Sequence, residues 1–173
     1  MAASLLLAAA TLGSAQTGPL LVPGAPVARD IPGARELPDP TLTYKILFDV
    51  DKGADQPDAI NPTLLTAGRF VNTLAKYGVP AEHRKIVVVF HGDATDIIET
   101  NDAYKASHNG QDNPNVPIIQ SLKKAGVDLR VCGQAAMARK IDPKAIQPEI
   151  ELDLWALTTI TTLEMRGWVR VGS

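Results

Sequence analysis

Residues Ile86-Val87-Val88-Val89-Phe90 form an unbroken apolar run with three consecutive valines. β-Branched and aromatic residues favour a strand. A strand with no polar side to turn toward water needs cover on both faces. That need points to a sheet sandwiched between helices.

The flanking segments alternate strand and helix accordingly. Tyr44 to Val50 reads as a first strand and Asp51 to Asn61 as a polar loop. Pro62 suits the first turn of a helix capped by Asn61. Leu64, Leu65, Ala67, Phe70, Val71 and Leu74 recur near helical spacing until Gly78 and Pro80 end the pattern. The apolar strand Lys85 to Phe90 follows and ends at His91-Gly92. Asp93 to Pro114 is a long polar connection with a helical turn between Ile97 and Tyr104, and loops of such length often carry function. Val116 to Ala125 reads as a helix closed by Gly126, and Val127 to Cys132 as a strand. A short helix at Ala135 to Lys140 and a fourth strand at Ile146 to Leu152 come next. A last helix spans Ala156 to Arg166, and Trp168 to Val171 is the terminal strand. The expected fold is α/β: three layers, a central, mainly parallel sheet and helices on both faces.

This core domain covers residues 43–172. Ahead of it, residues 16–40 hold six prolines and three glycines without periodicity, which reads as a flexible arm outside the core. Residues 1–15 are apolar and end in Gly13-Ser14-Ala15, which fits a signal peptide cleaved after Ala15, although it lacks the usual basic start. The stretch is shorter than the roughly 20 residues that span a bilayer. The expectation is export, to a bacterial periplasm, with no membrane span in the mature chain.

Charge excludes some partners. A net charge of −2 gives no electrostatic reason to expect nucleic acid or an acidic membrane surface. The single cysteine, Cys132, forbids an internal disulfide, a dithiol redox motif and a cysteine-based zinc site. The three histidines share no short ligand spacing, so no metal is expected, and no cofactor is implied. Phosphate-binding and hydrolase-elbow motifs are absent. Asp93 and Asp96 beside His91 read more simply as turn formers than as cation ligands.

Cys132 and His91 stand out because each directly follows an apolar strand and each precedes a glycine, Gly133 and Gly92. In a parallel sheet both emerge at the carboxyl edge, where open α/β folds bind ligands. A histidine beside a thiol is the usual arrangement for activating a nucleophile. The plain alternative is that Cys132 is a small buried hydrophobe. A free thiol in an oxidising compartment is a liability unless it is shielded or used.

Three features belong together: the strand ending in His91-Gly92, the segment Asn113-Pro114-Asn115 leading through Gly126-Val127 to Val131-Cys132-Gly133-Gln134, and Ala156-Leu157-Thr158-Thr159 with Gly167-Trp168. In combination they resemble the DsrE/DsrF-like sulfur-relay family. Asn72 also falls where that pattern often has asparagine. The resemblance implies symmetric homo-oligomers, commonly trimers or their multiples. It also implies a cysteine at position 132 that accepts sulfur as a persulfide, with His91, Asn115 and Gln134 lining its pocket beside Gly92 and Gly133. A protein sulfur donor and acceptor would be its partners. Two functions follow: a sulfur carrier or sulfurtransferase-like protein, or a noncatalytic oligomeric module that binds a small ligand or protein at Cys132 and His91. Hydrolysis through His91 with Asp93 or Asp96 has no motif behind it.

Overall fold

The structure, a computed structural model, describes residues 19–172. The signal peptide expected at residues 1–15 lies outside the described residues. Five strands, β1 (Tyr44–Val50), β2 (Arg84–Phe90), β3 (Asp128–Cys132), β4 (Glu151–Asp153) and β5 (Val169–Val171), form one sheet in the order β4-β3-β2-β1-β5. Every pairing is parallel.

The connections explain the layers. Helices α1 (Pro62–Lys76), α2 (Asn101–Ser107), α3 (Val116–Lys124) and α4 (Gly133–Ala138) come between strands that step one way across the sheet, from β1 to β4. The chain then returns through α5 (Ala156–Met165) to place β5 beside β1. Right-handed crossovers put outward and return helices on opposite faces. Accordingly α1 and α3 cover a large core with Phe48, Val88, Phe90, Leu129 and Val131. The other face carries a smaller cluster of Leu47, Val87, Val89 and Cys132 against Ala156, Ile160 and Leu163 of α5. The three valines of β2 thus divide between both cores, as the unbroken apolar run requires.

Local signals act as read at the first helix. Asn61 caps α1, its side chain accepting from Thr63 N and Leu64 N, and Pro62 occupies the first turn. The fourth strand is shorter and later than read, at Glu151–Asp153. Its expected start is a loop instead: Ile146 makes one isolated bridge to Glu99, and the Gln147 amide donates to the carbonyls of Ile97 and Glu99.

The segment read as an arm outside the core is partly inside it. Val22 and Ala25 are buried in the larger core. Asn72 of α1 holds them: Val22 N donates to its Oδ1 at 2.9 Å, and its Nδ2 donates to the carbonyls of Val22 and Ala25 at 3.0 and 3.1 Å. Farther along, Ala28 N donates to Thr73 Oγ1, while Lys76 and Tyr77 grip Asp30. Among the described residues no helix is long and apolar enough to cross a membrane.

Candidate functional site

The carboxyl edge of the sheet gathers the reactive side chains. Phe90 pairs with Val131, so the next residues, His91 and Cys132, continue neighbouring strands side by side. His91 is extended and its amide still donates to Val50 O, prolonging the ladder with β1. Side chains alternate along a strand. His91 stands two residues after Val89, and Val89 and Cys132 share the cluster under α5, so His91 and Cys132 both point to the α5 face.

There they line a single cavity of about 400 Å³. Ala135, Trp155, Ala156, Leu157 and Ile160 supply apolar wall, and Gln134, Glu164 and Arg170 supply polar wall. Cys132 itself is only 3 % exposed and packs in the smaller core. Its packing partners come from β1, β2 and α5. Met137 of α4 and Leu154 just after β4 are exposed and take no part in that packing. The thiol therefore sits in the floor of the cavity rather than at its mouth.

The two glycines have different tasks. Gly92 adopts φ +57°, and a Cβ there would lie 2.7 Å from Asp51 O, so the chain can turn off β2 only with glycine. At Gly133 a Cβ would lie 2.7 Å from Asp153 O, so its bare backbone lets α4 begin against the end of β4. Gln134 borders both this cavity and a more apolar one of about 430 Å³ between α4 and β4.

Asn115, expected in the same pocket, is elsewhere. It is buried, its Oδ1 accepts from Asn61 N at 2.8 Å, and its Nδ2 donates to Asn113 Oδ1 at 3.2 Å. Asn113 in turn donates to the carbonyls of Ile97 and Glu99. These amides tie the starts of α1 and α3 to the loop after β2. Asp93 and Asp96 are both held by Arg139 of the turn after α4, at 3.1 and 2.9 Å. That clamp fastens the loop following His91 to the helix following Cys132. Among the described residues, no group of three or more candidate side chains could hold a metal ion.

Sequence reading missed two residues at this edge. Asp49, near the end of β1, has a side chain with 0 % exposure, and its Oδ1 lies 2.6 Å from His91 Nε2. Arg170 of β5 pairs with the other oxygen, Oδ2. Burial pulls the Asp49 carboxyl upward, but the His91 hydrogen bond and the His91 and Arg170 charges outweigh it and hold the pKa below the usual aspartate value. The available signal was one carboxylate in the otherwise apolar run Ile46-Leu47-Phe48-Asp49-Val50, since a charge at a buried strand position needs a partner.

An open, all-parallel sheet with a thiol and an imidazole at its carboxyl edge defines the class: an α/β fold whose cleft lies where such sheets take their ligands. The sequence model of the DsrE/DsrF-like family matches residues 45–168. The chain belongs to that family. It is also similar in structure to MTH1491 of Methanobacterium thermoautotrophicum, a protein of unknown function, with a TM-score of 0.51 and 15% identity, covering 74% of this chain and 97% of the other. That likeness concerns the fold. No curated protein matches the chain.

Proposed function

We propose that this protein is an exported sulfur carrier that takes up sulfane sulfur as a persulfide on Cys132. The observation that carries the reading is the pairing of Cys132 and His91 on the wall of one cavity at the carboxyl edge of the sheet. Membership of a sulfur-relay-type family agrees with it. The chemistry needs only a thiolate and a leaving group. The Cys132 sulfur attacks the outer sulfur of a donor persulfide R–S–SH, a new S–S bond forms, and R–S⁻ departs with the electron pair of the old one. R–S⁻ takes up a proton, so the sum is Cys–SH plus R–S–SH giving Cys–S–SH plus R–SH, with no net oxidation.

The setting suits a carrier. A thiol in a cavity floor is shielded from bulk oxidants yet open to a small sulfur species. Met137, Leu152, Leu154, Trp155 and Leu157 are exposed apolar residues around this end of the sheet. Such patches mark contact surfaces, and we assign this one to contacts within a homo-oligomer and to docking of a sulfur donor or acceptor. A noncatalytic binding module is the second reading, favoured by the near-complete burial of Cys132.

The test is delivery. Protein exposed to polysulfide, freed of excess reagent and mixed with an acceptor thiol should release one sulfur per chain. Cys132→Ala, which removes the thiol without burying a hydroxyl, should release none while melting as a folded protein. Equal release from that variant would refute the carrier reading and leave the binding module.

A further inference from the structure

We infer that Asp49 is a positioning residue that makes His91 the proton acceptor for Cys132, with Arg170 holding Asp49 in the required orientation. The chemistry rests on the carrier reading above, whereas the geometry stands apart from it. Strands β3, β2, β1 and β5 lie side by side. Cys132, His91, Asp49 and Arg170 come from these four in the same order, His91 one residue beyond β2. Alternation along the strands turns all four toward the face covered by α5.

Asp49 has no access to water, and each oxygen has one partner: Oδ1 faces His91 Nε2 at 2.6 Å and Oδ2 faces Arg170. An ionised carboxylate can only accept hydrogen bonds. His91 Nε2 must therefore carry the ring hydrogen, which leaves a lone pair on Nδ1 of the neutral ring. Among the described residues Nδ1 has no hydrogen-bond partner. It is the nitrogen left for the cavity that His91 shares with Cys132.

Nδ1 and Sγ line the same cavity without a direct hydrogen bond, so in sulfur uptake Nδ1 takes the Sγ proton through one cavity water as the thiolate attacks the outer sulfur of the donor persulfide. The resulting imidazolium is stabilised by Asp49 and returns its proton to the departing R–S⁻. Protons and electrons balance within the reaction already written. The same logic orients the histidine of other nucleophile–histidine–carboxylate arrays. The charged and titratable groups facing His91 are Asp49 on β1, Arg170 on β5, Cys132 on β3 and Glu164 on α5.

Asp49→Asn inverts the tautomer. Arg170 is a donor and needs the amide oxygen, so the amide NH₂ turns to His91 and Nε2 must accept. The hydrogen then moves to Nδ1. Nitrogen-15 NMR of His91 at neutral pH should report Nε2–H in the native protein and Nδ1–H in Asp49→Asn. Iodoacetamide alkylation of Cys132 at neutral pH should slow by about 100-fold in the variant, the lower range for losing a general base, with its pH profile displaced upward. An unchanged tautomer or an unchanged alkylation profile in the variant would overturn the inference. If Asp49→Asn does not fold, the native tautomer alone decides, and Nδ1–H would refute it. Native protein that shows the expected tautomer and alkylation but takes up no sulfur would sink the carrier reading and leave the Asp49–His91 arrangement standing.

Discussion

Replacing Asn72 by alanine should release the segment that crosses α1. The native side chain is the partner of Val22 N–H and of Ala25 O, and it shares Val22 O with Ala25 N–H. Left unpaired, Val22 N–H and Ala25 O would each cost about 1–3 kcal/mol. Burying Val22 contributes about 1.5–3 kcal/mol and the Ala25 methyl about 0.8 kcal/mol. At mid-range the two orphaned groups, about 4 kcal/mol together, outweigh that gain of about 3 kcal/mol, so Val22 to Ala25 undock instead of staying in place unsatisfied. With the Ala28 and Asp30 anchors kept, peeling away Val22 to Ala25 caps the loss at about 2–4 kcal/mol, the sum of those two burial terms. Gly68 supplies an internal check. A Cβ there would lie 2.6 Å from Ala25 Cβ and 2.9 Å from Val22 Cγ1, while alanine improves a helix interior by about 1 kcal/mol. Gly68→Ala should therefore destabilise the native chain, where the clash dominates. In the Asn72→Ala background, where the segment has already left, it should stabilise by about 1 kcal/mol. Urea unfolding of the two single variants and the double variant measures this reversal, and hydrogen exchange at the Val22 amide reports undocking directly. A loss under about 0.5 kcal/mol with Val22 still protected, or the same effect of Gly68→Ala in both backgrounds, would refute the reasoning.

Other outcomes follow from the site. Asn115→Ala should cost about 1–3 kcal/mol in denaturant unfolding by stranding Asn61 N–H, yet leave the alkylation rate of Cys132 unchanged; a slowed thiol would return Asn115 to the pocket. Because the folded-state pKa of Asp49 is depressed, its contribution is present above the unfolded value of about 3.9 and is lost as pH falls through the folded value. Thermal melts from neutral to acid pH should thus fall more steeply for the native protein than for Asp49→Asn, and parallel curves would show that Asp49 gains nothing from its partners. Cys132→Ser should be less stable than Cys132→Ala by about 1–3 kcal/mol, since the hydroxyl enters an apolar cluster; equal melting temperatures would mean that water reaches that position.

Much of the fold was legible because local signals and burial agree. Strand β1, helix α1 and strand β2 come from a cap, a helix-start proline and unbroken apolar runs, and they form where the sequence places them. The fourth strand was misplaced because Ile146 and Ile150 are buried or half-buried from a loop, and apolar character alone does not separate a loop anchor from a ladder residue. The docked segment was illegible because its partner, Asn72, lies 50 residues from Val22 and its own pattern is aperiodic. At the site, His91 and Cys132 could be found from strand ends followed by glycine. Asp49 and Arg170 could not, because strand order decides that β1 and β5 lie beside β2, and no local pattern encodes strand order.

The central claim is that Cys132 takes up sulfur within its cavity. Intact-protein mass spectrometry after polysulfide exposure, with Cys132→Ala beside the native chain, measures that directly. The account predicts a gain of about 32 mass units per added sulfur, reversed by reductant and absent from the variant. An unmodified native chain whose thiol also resists iodoacetamide would contradict it and make Cys132 a packing residue.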